Sequence, residues 1–161
     1  MFTKSTLFAV IPGAAALAAG AVLPFQAASN AAVGKALGSP VWGAMTSLVV
    51  SAIVILITAL VLRTPSPNVG NAVGGPWWLW IGGVLGAVYV GAAASVTPKL
   101  GAGGFLVLVV AGQMIAAVIA DHLGLMGLTP KPINLTRIAG VVLILVGAVA
   151  VHLGGQASQQ S

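Results

Sequence analysis

Long apolar runs separated by short breaks of proline, glycine and single charges fill most of the chain. No charged residue lies between Lys4 and Lys35, and that run predicts a first spanning helix over about 6–33. The run exceeds the minimum span, so tilting or bending is expected, and Pro24 predicts a kink. Gly34 to Ser39 reads as a connector carrying Lys35. Pro40 suits the first turn of a second helix over about 40–62, closed by Arg63. Residues 64–75 are rich in Gly, Pro and Asn and read as a loop. A third helix is predicted over about 76–96, with Trp77, Trp78 and Trp80 placed as interfacial aromatics are. Thr97-Pro98-Lys99-Leu100-Gly101 reads as a tight turn into a fourth helix over about 101–122. Thr129-Pro130-Lys131-Pro132 precedes a fifth over about 133–153, and residues 154–161 read as a polar tail. The pattern predicts one all-α membrane domain over 1–161 with five transmembrane helices.

A signal peptide is the competing reading of the first run, since Lys4, an apolar stretch and small residues near Ala28 suit one. The uncharged run is too long for a typical signal core, and the spanning helix is preferred.

Composition narrows the class. Charged residues are 4% of the 161, against roughly 25% in a soluble domain. So few charges cannot cover a surface facing water, and the lipid bilayer is the expected partner. Six basic residues and one acid give a net charge of +5. The basic residues are scattered singly, so a nucleic-acid partner is not expected. The chain has no cysteine and two histidines, which leaves no disulfide, no metal site and no catalytic constellation to propose. Gly101 to Gly104 lacks the Lys-Ser/Thr pair of a phosphate loop. Neither cofactor nor enzyme activity is expected.

An odd number of spans puts the termini on opposite sides. Lys4, Arg63, Lys131 and Arg137 then fall on the amino-terminal side, and Lys35 and Lys99 on the other. The positive-inside rule favours a cytoplasmic amino terminus by a narrow margin, which leaves room for both orientations.

The candidate chemistry lies in the few polar residues inside the spans. Gln26 and Asn30 are one helical turn apart on one face. They either bond neighbouring helices or border a solute passage. Interhelical hydrogen bonds average roughly 0.6 kcal/mol, a small return for two amides in lipid, so the passage is preferred. Carboxamides donate and accept, which suits a polar neutral or zwitterionic ligand. Gln113, in the middle of the fourth helix, and Tyr89, midway along the third, are further candidates for the same site. Ser47 faces this side or bonds its own helix, and Trp42 lines an entrance or anchors at the interface. Asp121, the sole carboxylate, stands beside His122 at a helix end. The two are candidates for coupling or gating, with pairing to Lys131 or Arg137 as the alternative for Asp121. His152 is expected at the interface. Gly82 and Gly86, the stripe Gly83, Ala87 and Gly91, and Gly140 with Gly147 are expected to admit close helix contacts.

Gln26-x-x-x-Asn30 with Gly38-Ser39-Pro40, Trp77-Trp78 with Gly82-Gly83-x-x-Gly86 and Tyr89, Gly112-Gln113, and Asp121-His122-x-Gly124-x-x-Gly127 form one set. Together they resemble the DUF606 (YdcZ-type) family of the drug/metabolite transporter superfamily, over about residues 10–152. The resemblance implies half of a ten-helix inverted-repeat transporter fold in a bacterial inner membrane. It also implies a small-molecule exporter and, for an unfused unit, an antiparallel homodimer of dual topology with alternating access. The four-helix multidrug relatives use a glutamate in their first helix, and this chain has no acid there. The alternative function is a non-transporting scaffold or accessory subunit, in which the polar residues only specify packing.

Overall fold

A computed structural model describes the backbone of residues 4–157 and the side chains of residues 10–155. The described residues are helical or in turns and irregular loops, with no strand. Helix α1 (Lys4–Ala36) runs unbroken through Pro12 and Pro24. A three-residue connector leads to α2 (Pro40–Val61), whose start matches its chemistry. The Ser39 hydroxyl accepts from the Val41 amide at 3.3 Å, and Pro40 needs no donor in the first turn. The loop after α2 contains a short helix, α3 (Val69–Val73), capped by the Asn68 side chain on the Asn71 amide at 3.2 Å. A 3-10 turn at Trp77–Leu79 then precedes α4 (Ile81–Leu123), and a second at Leu125–Gly127 follows it. Helix α5 (Leu135–Ala157) ends the described chain. It takes in residues 154–157, which the sequence reading assigned to the tail; residues 158–161 lie outside the described region.

The geometry of α4 decides the architecture. Its 43 residues would extend roughly 65 Å if straight, about twice a bilayer core. Gly101 breaks it with φ 72° and ψ 161°, a region open essentially to glycine alone. The rings of Tyr89 and Phe105 lie 6.2 Å apart, where a straight helix would hold them roughly 24 Å apart. At the other end, a Cβ on Gly127 would stand 3.6 Å from Trp78. The limbs 81–100 and 102–123 are therefore a hairpin. Pro98 does not end the first limb, as the tight-turn reading expected; the helix passes through Thr97-Pro98 and stops only at Gly101.

Four helical stretches are long and apolar enough to cross a membrane, and the 47-residue stretch Trp77–Leu123 contains both limbs of this hairpin. Helix α1 packs against α2 and α4, α2 also meets α4, and α5 lies against α4. The core sets small side chains, Ala27 of α1 and Ala93 of the first limb, against Phe105 and Leu106 of the second. Large apolar residues such as Leu17, Ile55 and Leu143 point outward, as they do where lipid is the solvent.

Candidate functional site

Successive residues of a helix turn by about 100°, which divides the second half of α1 into three faces. Ala27 faces the α4 hairpin and is buried there. Gln26, Ser29, Asn30 and Val33 turn toward α2, while Ala28, Ala31, Ala32 and Lys35 occupy the opposite side. Helix α2 answers the first of these sides with Gly43, Thr46, Ser47, Val50 and Ser51, again at one-turn spacings. The facing sets border a half-open cavity of about 290 Å³, in which Gln26 and Ser29 are exposed and Asn30 is buried.

Two glycines set the width of its end nearest the α1–α2 connector. A Cβ at Gly43 would fall 2.5 Å from the Asn30 carbonyl oxygen and 2.8 Å from the Gly34 nitrogen. The backbones of α1 and α2 therefore touch here, and the cavity lies beside this contact along Asn30 and Gln26. Asn30 is 6% exposed, and its Nδ2 is buried without a hydrogen-bond partner. A buried donor left unsatisfied costs about 1–3 kcal/mol. The Thr46 hydroxyl donates to the Trp42 carbonyl at 2.8 Å and so stays committed to its own helix. No ionisable side chain lines the cavity. Its wall of carboxamides and hydroxyls can exchange hydrogen bonds with a polar solute but cannot neutralise a net charge.

The predicted residues divide. Gln26, Asn30 and Ser47 meet in this cavity, and Ser29, Thr46 and Ser51 join them. Those three hydroxyls carry no signal of their own in the sequence beyond standing one turn from Gln26, Trp42 and Ser47 respectively. Gln113 is outside: it is exposed on the second limb of α4. Tyr89 packs on Phe105 in the core, and Trp42 is exposed and does not line the cavity. Trp77 and Trp80 are exposed as interface residues are, whereas Trp78 is half-buried beside Gly127.

Asp121 and His122 work at the α4–α5 turn. Arg137 of α5 donates to the Asp121 carboxylate at 2.5 Å and to the Lys131 carbonyl at 3.2 Å. The Lys131 amide bonds the Asp121 carbonyl at 2.8 Å, and His122 Nδ1 accepts from the Ile133 amide at 3.4 Å. The ion pair named as the alternative for Asp121 is thus formed, with Arg137, and both side chains retain some exposure. His152, expected at the interface, lies near Gly104 just past the hairpin bend.

A sequence model of the family described as "DMT_YdcZ: Putative inner membrane exporter, YdcZ" matches residues 11–150. No curated protein and no solved structure gives a significant match. The family match takes in all the long helices, the cavity between α1 and α2 and the clasp at Asp121. The chain belongs to this YdcZ family of inner membrane exporters: it is a multi-pass, all-helical membrane protein of a transporter family.

Proposed function

We propose that the chain is half of a two-chain exporter for small polar solutes, and that the α1–α2 cavity binds the solute. The observation that carries this reading is the buried Asn30 carboxamide, whose Nδ2 has no partner beside a cavity lined by Gln26 and Ser47. A neutral or zwitterionic solute supplies the missing acceptor. A charged one would have to give up hydration without a counter-charge in the wall.

The two-chain part rests on topology. Counting each limb of α4 as one crossing gives five crossings of the single domain, with the termini on opposite faces. A second copy inserted the other way completes an inverted pair, which can alternate access around a shared site. The small excess of basic residues on one face opposes this only weakly. Gln113 supports a partner as well. It is exposed in the middle of a span and makes no hydrogen bond among the described residues, so a second chain or a wet passage must satisfy it. Gly140 and Gly147 of α5 have open space where a Cβ would stand, which suits a close contact between copies. Asp121 and His122 enter as a gate only if their clasp opens during the cycle.

A non-transporting scaffold would bond each amide to a separate neighbour. A transporter would gather Gln26, Asn30 and Gln113 around one cavity. Gln26 and Asn30 share one with neither side chain bonded, which supports the transporter, while Gln113 lies outside it and is left for a second copy to meet. The test is flux of polar solutes in liposomes containing the purified protein. Asn30→Ala is expected to lower transport at least tenfold while the oligomer stays intact. Undiminished flux in that variant removes the α1–α2 cavity from the pathway.

A further inference from the structure

The other side of α1 borders a second and larger cavity, of about 590 Å³. Its wall is formed by the α1–α2 connector and the end of the first α4 limb, the two chain reversals on the same membrane face. Lys35 and Lys99 both line it. Neither makes an ion pair among the described residues, because Asp121 is held by Arg137 at the opposite face. Thr97 lines it as well; it is 6% exposed, and its Oγ1 is buried without a partner. The other two hydroxyls here are committed: Ser39 caps α2, and Ser95 donates to the Gly91 carbonyl at 2.8 Å. Ser39 and Pro40 bring the amino end of α2 to the cavity, and its dipole adds positive potential. Deeper into the span the wall is Ala28, Ala31 and Ala94.

We infer that this cavity is a binding site for an acidic phospholipid, with its phosphate between Lys35 and Lys99 and its acyl chains along the alanine wall. Each part of the cavity matches a part of the lipid. Two ammonium groups and a free hydroxyl donor receive an anion. Their position at the chain reversals is the depth of the headgroups. The alanine wall begins where the acyl chains do. The cavity holds no carboxylate to receive the ammonium of a zwitterionic headgroup, so a net-anionic lipid is preferred. The site lies on the far side of α1 from Asn30 and does not depend on how the α1–α2 cavity is used.

Equilibrium binding of a fluorescent phosphatidylglycerol to the purified full chain in detergent tests this, with phosphatidylcholine of the same chains and inorganic phosphate as competitors. Phosphatidylglycerol is expected to compete much better than phosphatidylcholine, with a margin that shrinks as salt rises. Lys35→Gln and Lys99→Gln should each weaken binding about fivefold, Thr97→Val should weaken it further, and Lys131→Gln on the other face should leave it unchanged. Equal competition by the two lipids would overturn the proposal without any variant having to fold. Unchanged binding in the lysine double variant would overturn it too. Displacement by inorganic phosphate as effective as by the lipid would reject the part of the site assigned to the acyl chains.

Discussion

Gly43→Ala is expected to damage the protein more than any other alanine substitution at a glycine along α1 and α2. The added methyl would stand 2.5 Å from the Asn30 carbonyl oxygen, 2.8 Å from the Gly34 nitrogen and 2.9 Å from its Cα. All three are backbone atoms, so no side chain can rotate out of the way. The helices must separate or slide, and overpacking of this kind costs about 1–3 kcal/mol. The damage reaches function, because the same contact sets the distance between Asn30 and Ser47 across the cavity. Gly34→Ala is the graded comparison: its nearest neighbour, the Pro40 Cα, lies at 3.1 Å, and a smaller loss is expected. Gly13→Ala, with open space around it, should be silent. Thermal unfolding in detergent, read beside transport in liposomes, ranks the three. A Gly43→Ala protein as stable and active as the parent would mean that α1 and α2 do not meet as described.

Gly101→Ala is expected to be the second severe change, for a different reason. No atom crowds the position; the obstacle is the backbone itself. At φ 72° and ψ 161° a Cβ collides with its own peptide units, which costs about 1–3 kcal/mol. The substituted chain can escape by straightening toward helix, and that would pull Tyr89 from Phe105 and Trp78 from the turn at Gly127. Gly103→Ala, two residues on, controls for the added methyl, since it has no positive φ and no neighbour within 4 Å. It should be neutral or slightly stabilising. The measurement is unfolding in detergent together with the Trp fluorescence of the native state. If Gly101→Ala and Gly103→Ala behave alike, the hairpin does not depend on that glycine.

These two positions also mark how far the sequence could be read. Spans are legible because lipid leaves the backbone no alternative to helix, and Ser39-Pro40 announces the start of α2 by its own capping chemistry. Pro98 misleads because proline is tolerated in a membrane helix when its surroundings accommodate the freed carbonyl. The sequence pattern therefore puts the turn several residues early, with Gly101, which makes it, only as its last member. The glycine stripes make no close contact within one copy. Gly82, Gly83, Gly86 and Gly91 are spaced for a close contact, yet a Cβ on any of them would meet no other part of the chain within 4 Å. The close approach within the chain falls instead on Gly34 and Gly43, in segments that carry no repeating pattern. The pair Gln26 and Asn30 could be found from one-turn spacing alone. That α2 answers it with Ser47 while Gln113 stays outside depends on how α1 is rotated against two neighbours, which no periodicity within α1 encodes. The short helix α3 was hidden by the loop composition of its surroundings.

The claim on which the functional reading stands is that water reaches the carboxamide face between α1 and α2. The native chain has no cysteine, so a single thiol can report on this directly. Ser47→Cys, in the cavity wall, and Ile55→Cys, on the outer surface of the same helix, can be compared in protein reconstituted in liposomes. A small charged thiol reagent is supplied on both sides of the membrane. The account predicts rapid modification at position 47 and slow modification at position 55. A thiol at position 47 that reacts no faster than the one at 55 would mean a dry interface, and the cavity would then be a packing defect and not a solute site.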